Sequence, residues 1–278
     1  MVNVRELDPN ASPLAFFGCE VRRLREIHDM TLDQLGAKVY VSGSLIGQIE
    51  TATKVPKYDL IPRIDTALEA RRGLVRLWNM AIRTRLPKWF QETAELEAKA
   101  ERIHTYQAQL VHGLLQTPGY AEAVLGVMSD SGLDEKVAAR LSRQSILDRE
   151  DPPVLWVVMD EAVLHREVGG PATMRTQLLR LLSWRDTDEV QIQILPNSAG
   201  AHPGVLGSFT LYSFAEQADI AYQPGYEDGW ATANPQETKA RWLRYDLVRA
   251  AALSPGQSAE LITRVLEEQY GHHPDDHD

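Results

Sequence analysis

Cysteine is almost missing from this 278-residue chain, with Cys19 standing alone. A lone thiol excludes an internal disulfide and a cysteine-rich metal site, and its place in an early amphipathic segment reads as packed rather than reactive. Long apolar runs are missing too. The longest, residues 154–159, falls far short of the ~20 residues that a membrane-spanning helix needs. The opening MVNVREL lacks the basic and apolar regions of a secretion signal, so the chain is expected to be cytoplasmic, without a membrane partner. Catalytic signatures are absent as well: there is no Gly-x-Ser-x-Gly, no phosphate loop and no HExxH, so neither enzymatic activity nor a cofactor is expected. The closing GHHPDDHD holds His272, His273 and His277, but tails of this composition are normally solvated, and no metal site is expected there.

Excess positive charge is the next thing lacking. The net charge is −10 and the pI about 5.3, a balance that repels a polyanion if spread evenly. It is not spread evenly. Residues 1–75 carry ten Lys and Arg against ten Asp and Glu, whereas the remainder carries 19 against 29. The first part is therefore neutral and the deficit lies behind it.

That neutral part contains the most informative stretch, residues 20–57. Val21, Leu24 and Ile27 recur at helical spacing and can pack inward while Arg22, Arg23 and Arg25 stay solvated. A second helix opens at Thr31, with Gln34 three residues on as a capping box and Leu32, Leu35 and Val39 apolar. A third begins at the cap residue Ser42, turns Leu45, Ile46 and Ile49 inward, and leaves Gly43, Ser44, Gly47 and Gln48 exposed. Three short helices broken in this way form a helix-turn-helix, whose last helix lies in the DNA major groove. Gln suits adenine N6 and N7, and Ser suits a base or a phosphate. Leu60, Ile64 and Leu68 complete the reading domain, and Leu74, Leu77, Trp78 and Ile82 form a further stripe ending at Pro87.

The segment resembles the Xre, or lambda-repressor-like, helix-turn-helix through Thr31, Leu35, Ser42, Ile46, Ile49, Glu50 and Pro56. The resemblance implies base reading by Ser42, Ser44 and Gln48. Together with Gly43 and Gln34, and with the basic residues Arg22, Arg23, Lys54 and Lys57 as phosphate candidates, these are the expected DNA-binding residues. Two positions depart from the pattern: Gly36 stands where the family usually has Ala, and Tyr40 where the turn usually has Gly. A left-handed turn conformation is unfavourable for Tyr. A neutral head binds double-stranded DNA weakly alone, which argues for a homodimer on a two-part site or for a controlling partner, with salt-dependent affinity.

Residues 88–106 read as a charged, Ala-rich connecting helix anchored by Trp89 and Phe90. Beyond it a helix starts at Pro118 and another runs from Asp134 to about Asp148. Strands follow at 154–159, 190–195, 209–214 and 220–222, with a helix over 172–184 between the first two and two closing helices over 236–252 and 256–269. The expected organisation is a mainly α helix-turn-helix domain (1–86), an α+β domain with a small mixed sheet (87–270) and a disordered tail (271–278).

This second part resembles the domain of unknown function that follows Xre-type heads in many actinobacterial regulators. The resemblance rests on Gly113-Leu114-Leu115-Gln116-Thr117-Pro118-x-Tyr120-Ala121, Arg143-Gln144, Asp160-Glu161-x-x-Leu164-x-Arg166, Gly169-Gly170, Gln177-Leu178, Ile194-Leu195-Pro196 and Gly207-Ser208-Phe209. It implies a transcriptional regulator, often encoded beside a small acidic partner protein. An antitoxin-like protein-binding switch that contacts DNA for autoregulation is the alternative. One departure is Gln223 after Tyr222, where the family often has Glu; a sugar-transfer enzyme would need that carboxylate. Glu161, His165, Arg166 and His202 could line a small-molecule pocket, although Glu161 and Arg166 at this spacing more often form a structural ion pair.

Overall fold

Ser12 starts the first helix by accepting the N–H of Ala15 on its hydroxyl at 3.0 Å, and α1 (Pro13–Ile27) follows with Pro at its first position, where a missing N–H costs nothing. The computed structural model describes residues 8–9, 11–57, 59–83, 88–127, 132–225 and 229–271, without the side chains of 79, 82, 83 and 88–92. The start of the chain, Pro87, the side chains of Ile82 and of the anchors Trp89 and Phe90, and the histidines of the tail therefore lie outside what is described. The buried stripe of α1 is Leu14, Phe17 and Val21, one turn earlier than its sequence suggests. Leu24 is half-buried and Ile27 is 60% exposed, because α1 is longer than the amphipathic segment that first signals it.

The next helices follow their caps. Thr31 and Gln34 form the full capping box of α2 (Leu32–Lys38), Ser42 caps α3 (Gly43–Glu50), and α4 (Leu60–Ala67) and α5 (Gly73–Arg83) complete the bundle. Their inward faces form one cluster that includes Phe17, Leu35, Ile46, Ile49, Ile64 and Trp78. The start of α5 is held by a residue the sequence did not single out. Buried Asp65 accepts the N–H groups of Arg72, Leu74 and Val75 at 2.8–3.2 Å, a carboxylate on the positive end of a helix.

The charged helix α6 (Lys88–Lys99) stops well before Tyr106, and residues expected to extend it form β1 (Arg102–Gln107). This strand lies inside the sheet. It pairs in parallel with β2 (Val154–Asp160), Ile103 opposite Leu155, and antiparallel with β4 (Phe209–Ser213), Ile103 opposite Tyr212. Ladder bonds on both sides outweigh the helical pattern of the preceding residues. Between β1 and β2 come α7 (Pro118–Gly126) and α8 (Leu133–Arg143), the latter giving way to a 3-10 turn (Gln144–Asp148) rather than continuing as one helix.

The remainder runs α9 (Ala162–His165), α10 (Pro171–Leu182), β3 (Val190–Leu195), β4, β5 (Ile220–Gln223), β6 (Trp230–Thr232), α11 (Pro235–Ala251) and α12 (Pro255–Tyr270). The sheet order is β3-β2-β1-β4-β5-β6, with β1, β2 and β3 parallel and β4, β5 and β6 antiparallel. Alternation along the strands divides the core. Leu155, Val157 and Met159 pack with residues of α10 and α12 on one face, while Val158, Phe209 and Leu211 pack with Tyr245 and Val248 of α11 on the other. The expected α+β domain with a mixed sheet is present, with two more strands than the sequence revealed.

By contacts the chain forms two compact units. The first joins residues 1–91 with 128–142 and the second takes the rest. The first unit is thus discontinuous, and α8 contributes Ala138 and Ala139 to its core.

Candidate nucleic-acid interface

The surface of α3 is set by how tightly α2 and α3 cross. A methyl group on Gly36 would sit 2.7 Å from the carbonyl oxygen of Val41, and one on Gly43 would overlap the Asp33 carboxylate. Gly36 therefore departs from the family's Ala for a steric reason. Gly43 is buried and Gly47 half-buried, which corrects the expectation that both lie exposed. Ser42, Ser44 and Gln48 are exposed. The Ser42 hydroxyl accepts the N–H of Leu45 at 3.2 Å as the cap, so its side chain already has one partner.

Tyr40 adopts φ of 58° in the turn between α2 and α3, and its side chain is 85% exposed. The turn keeps its geometry despite an unfavourable residue. Support comes from Arg63, which donates to the carbonyl of Val39 at 2.8 Å, and from the Val41 N–H bonded to the carbonyl of Gly36 at 2.9 Å.

The basic residues divide sharply. Glu50 at the end of α3 is buried, and its carboxylate receives Arg25 at 2.6 and 2.9 Å and Arg22 at 3.3 Å. Arg25 also donates to the carbonyl of Met30 at 2.7 Å, and its hydrogen bond to Glu50 raises its pKa against the desolvation that lowers it. Arg22 and Arg25 are therefore mostly buried ties between α1 and α3 rather than solvated groups. Arg23 remains exposed, in a surface pair with Glu20. Lys54 and Lys57 are exposed beyond α3. Gln34 is exposed as well, its amide oxygen accepting the N–H of Thr31 at 2.7 Å, so the cap uses its acceptor and not its NH₂. Sequence reasoning missed two further features of this surface: Thr53, exposed and bonded through N–H and hydroxyl to the carbonyl of Gln48 at 2.9 and 3.1 Å, and Glu50 as an anchor of α3. Spacing held a signal for Thr53, but none for a partner 25 residues away.

The glutamines in the motifs of the second unit are staples. Gln116 donates to the carbonyl of Val111, Gln144 to those of Gly113 and Gln116, and Gln177 donates to Leu115 while accepting from Thr117, all at 2.7–3.1 Å. Arg143 forms a bidentate buried ion pair with Glu97. Burial lowers the Arg143 guanidinium, but the Glu97 carboxylate outweighs it and the pKa is raised.

The polar candidates do not form a pocket of free groups. His202 accepts the N–H of Gly204 on Nδ1 at 3.1 Å and places Nε2 3.7 Å from Asp160, which also accepts Tyr106 at 3.1 Å. Glu161 accepts the N–H of Asn197 at 2.7 Å and lies 3.5 Å from His165; among the described residues no ion pair joins it to Arg166. No cluster of three or more His, Cys, Asp or Glu among the described residues could hold a metal, and no described helix is long and apolar enough to cross a membrane.

Comparison with known families matches two stretches of the chain. The model described as "Domain of unknown function (DUF5753)" covers residues 90–264. The chain belongs to the DUF5753 family. Ahead of the DUF5753 region, residues 17–78 match a family described as "Helix-turn-helix domain", a segment that runs from within α1 through α2, α3 and α4 into α5. Neither a curated protein nor a solved structure matches the chain. The helix-turn-helix supports a DNA-binding regulator, and α8 falls within the DUF5753 match although it packs in the first unit.

Proposed function

We propose that this protein is a sequence-specific transcriptional regulator of the Xre type, cytoplasmic, which reads the major groove with the exposed face of α3. Ser44 and Gln48 meet base edges; Ser42, Gln34, Thr53, Lys54 and Lys57 meet phosphates. The observation that carries this reading is the rigid mounting of α3. The Gly36–Gly43 crossing, the Ser42 cap and the Glu50 tie to Arg22 and Arg25 fix the helix at both ends and leave its polar face outward.

A neutral head supplies few phosphate contacts, so two heads on a two-part site supply the affinity, and the second unit serves dimerisation and signal or partner input. The test is genome-wide mapping of the bound protein beside a Ser44→Ala/Gln48→Ala variant. Discrete peaks sharing a short dyad, lost in the variant, are expected. In vitro, Gln48→Ala costs about 1–3 kcal/mol at the mapped site and nothing on random duplex. Equal loss on both would remove base reading from Gln48.

A further inference from the structure

The helix-turn-helix match ends at residue 78, yet the core of the first unit does not. Ala138 and Ala139 of α8 are fully buried in the same cluster as Leu35, Ile46 and Trp78. The first turn of α8 also comes close to the reading surface. Gly132, Leu133, Asp134 and Glu135 line one open groove with Thr53, Lys54 and Val55, the stretch that follows α3, and Val55 belongs to the shared core. At the surface the first turn of α8 thus lies beside residues 53–55, and two turns further on the helix enters the core that α3 also helps to form.

Alanine at both core positions lets a helix approach closely, and such contacts leave no slack: close-packed interfaces shift between discrete arrangements rather than deform smoothly. We propose that α8, although it lies in the family's region of unknown function, is a positioning element of the DNA-reading unit that holds residues 43–55 in their reading conformation. Ala138 and Ala139 are positioning residues, not contacts to DNA. Because the chain reaches α8 from β1 and α7 and leaves it toward β2, an event at that crossover has a covalent route to the reading surface. The claim about DNA affinity rests on the proposed function; the claim about order in residues 43–55 does not.

The test uses the full chain. Hydrogen exchange is followed by mass spectrometry, and binding to a random-sequence 30-base-pair duplex at low salt by fluorescence anisotropy. In Ala138→Asp/Ala139→Asp, exchange is expected to rise about ten-fold or more in both α8 and residues 43–55, while β1 and β2 keep their protection and duplex affinity falls about five-fold or more. Should the charged pair unfold the whole chain, Ala139→Gly decides: it weakens the helix by a factor of about five without adding bulk, and exchange must rise together in α8 and in 43–55. Faster exchange in α8 with unchanged protection of 43–55 overturns the proposal. A native chain that binds neither this duplex nor one carrying the mapped site refutes the DNA-binding reading, while the exchange result still decides the role of α8.

Discussion

Tyr40 shows how a single residue can sit against its own preference. Its left-handed φ of 58° costs an L-residue about 1–2 kcal/mol, and its exposed ring contributes little packing in return. Tyr40→Gly therefore removes the strain, set against the greater freedom of Gly in the unfolded chain, for a net gain of roughly 0.5–1 kcal/mol. Urea unfolding followed by circular dichroism checks this, and a loss of stability would show that the tyrosine makes a stabilising contact. Glu50 is the opposite case. Its carboxylate is 2% exposed and serves two arginines, so Glu50→Gln leaves Arg22 and Arg25 without their counter-charge at a cost of roughly 3 kcal/mol. The same unfolding experiment reads it, and a change below about 0.5 kcal/mol would mean that the pair behaves like an ordinary surface bridge.

Elements were legible where local chemistry decides them. The caps at Thr31 and Ser42, the helix-opening Pro118 and the apolar strands at 154 and 190 could be read directly, because a cap, a first-turn proline or an apolar run carries its own signal. β1 could not, since Arg102–Gln107 follows a charged helix and becomes a strand through partners 50 and 110 residues away. The exposed face of α3 was legible for Ser44 and Gln48. The burial of Gly43 and of Arg22 was not, because it depends on where α2 and Glu50 lie in space. The strand face under α11 has a consequence of its own. His104 of β1 packs against Trp156, Trp242 and Tyr245, and burial, aided by Arg249 and Arg102, lowers its pKa to about 4. With the folded value below the unfolded value of about 6.5, the unfolded chain binds the extra proton between pH 6.5 and 4. Stability is therefore full above pH 6.5 and falls as the pH drops through that window, by about 2 kcal/mol once partial exposure is allowed for. Urea unfolding at pH 7 and pH 4.5 checks this against His104→Gln, which is expected to flatten that share of the pH dependence; an identical slope in both proteins would assign the loss to other groups.

Over the whole molecule, charge decides how DNA binding can work. The acidic remainder of the chain offers a polyanion nothing, and within the reading unit much positive charge is already committed: Arg22 and Arg25 to Glu50, Arg23 to Glu20, Arg63 to Asp59. Lys54 and Lys57 are the exposed lysines placed just after α3. Each phosphate neutralised contributes about −0.9 to the slope of log K against log salt, so one head using both lysines gives a slope near −2 and two heads on one site give about −4. The slope thus counts the heads on the site directly. Lys54→Gln sharpens the count, because it makes the slope shallower by about one for a single head and about two for a pair. Titrations of the mapped site across a series of salt concentrations provide the measurement. A slope unchanged by Lys54→Gln would take this residue out of the interface and leave Lys57, with the hydrogen bonds of Ser42, Gln34 and Thr53, to carry the phosphate contacts.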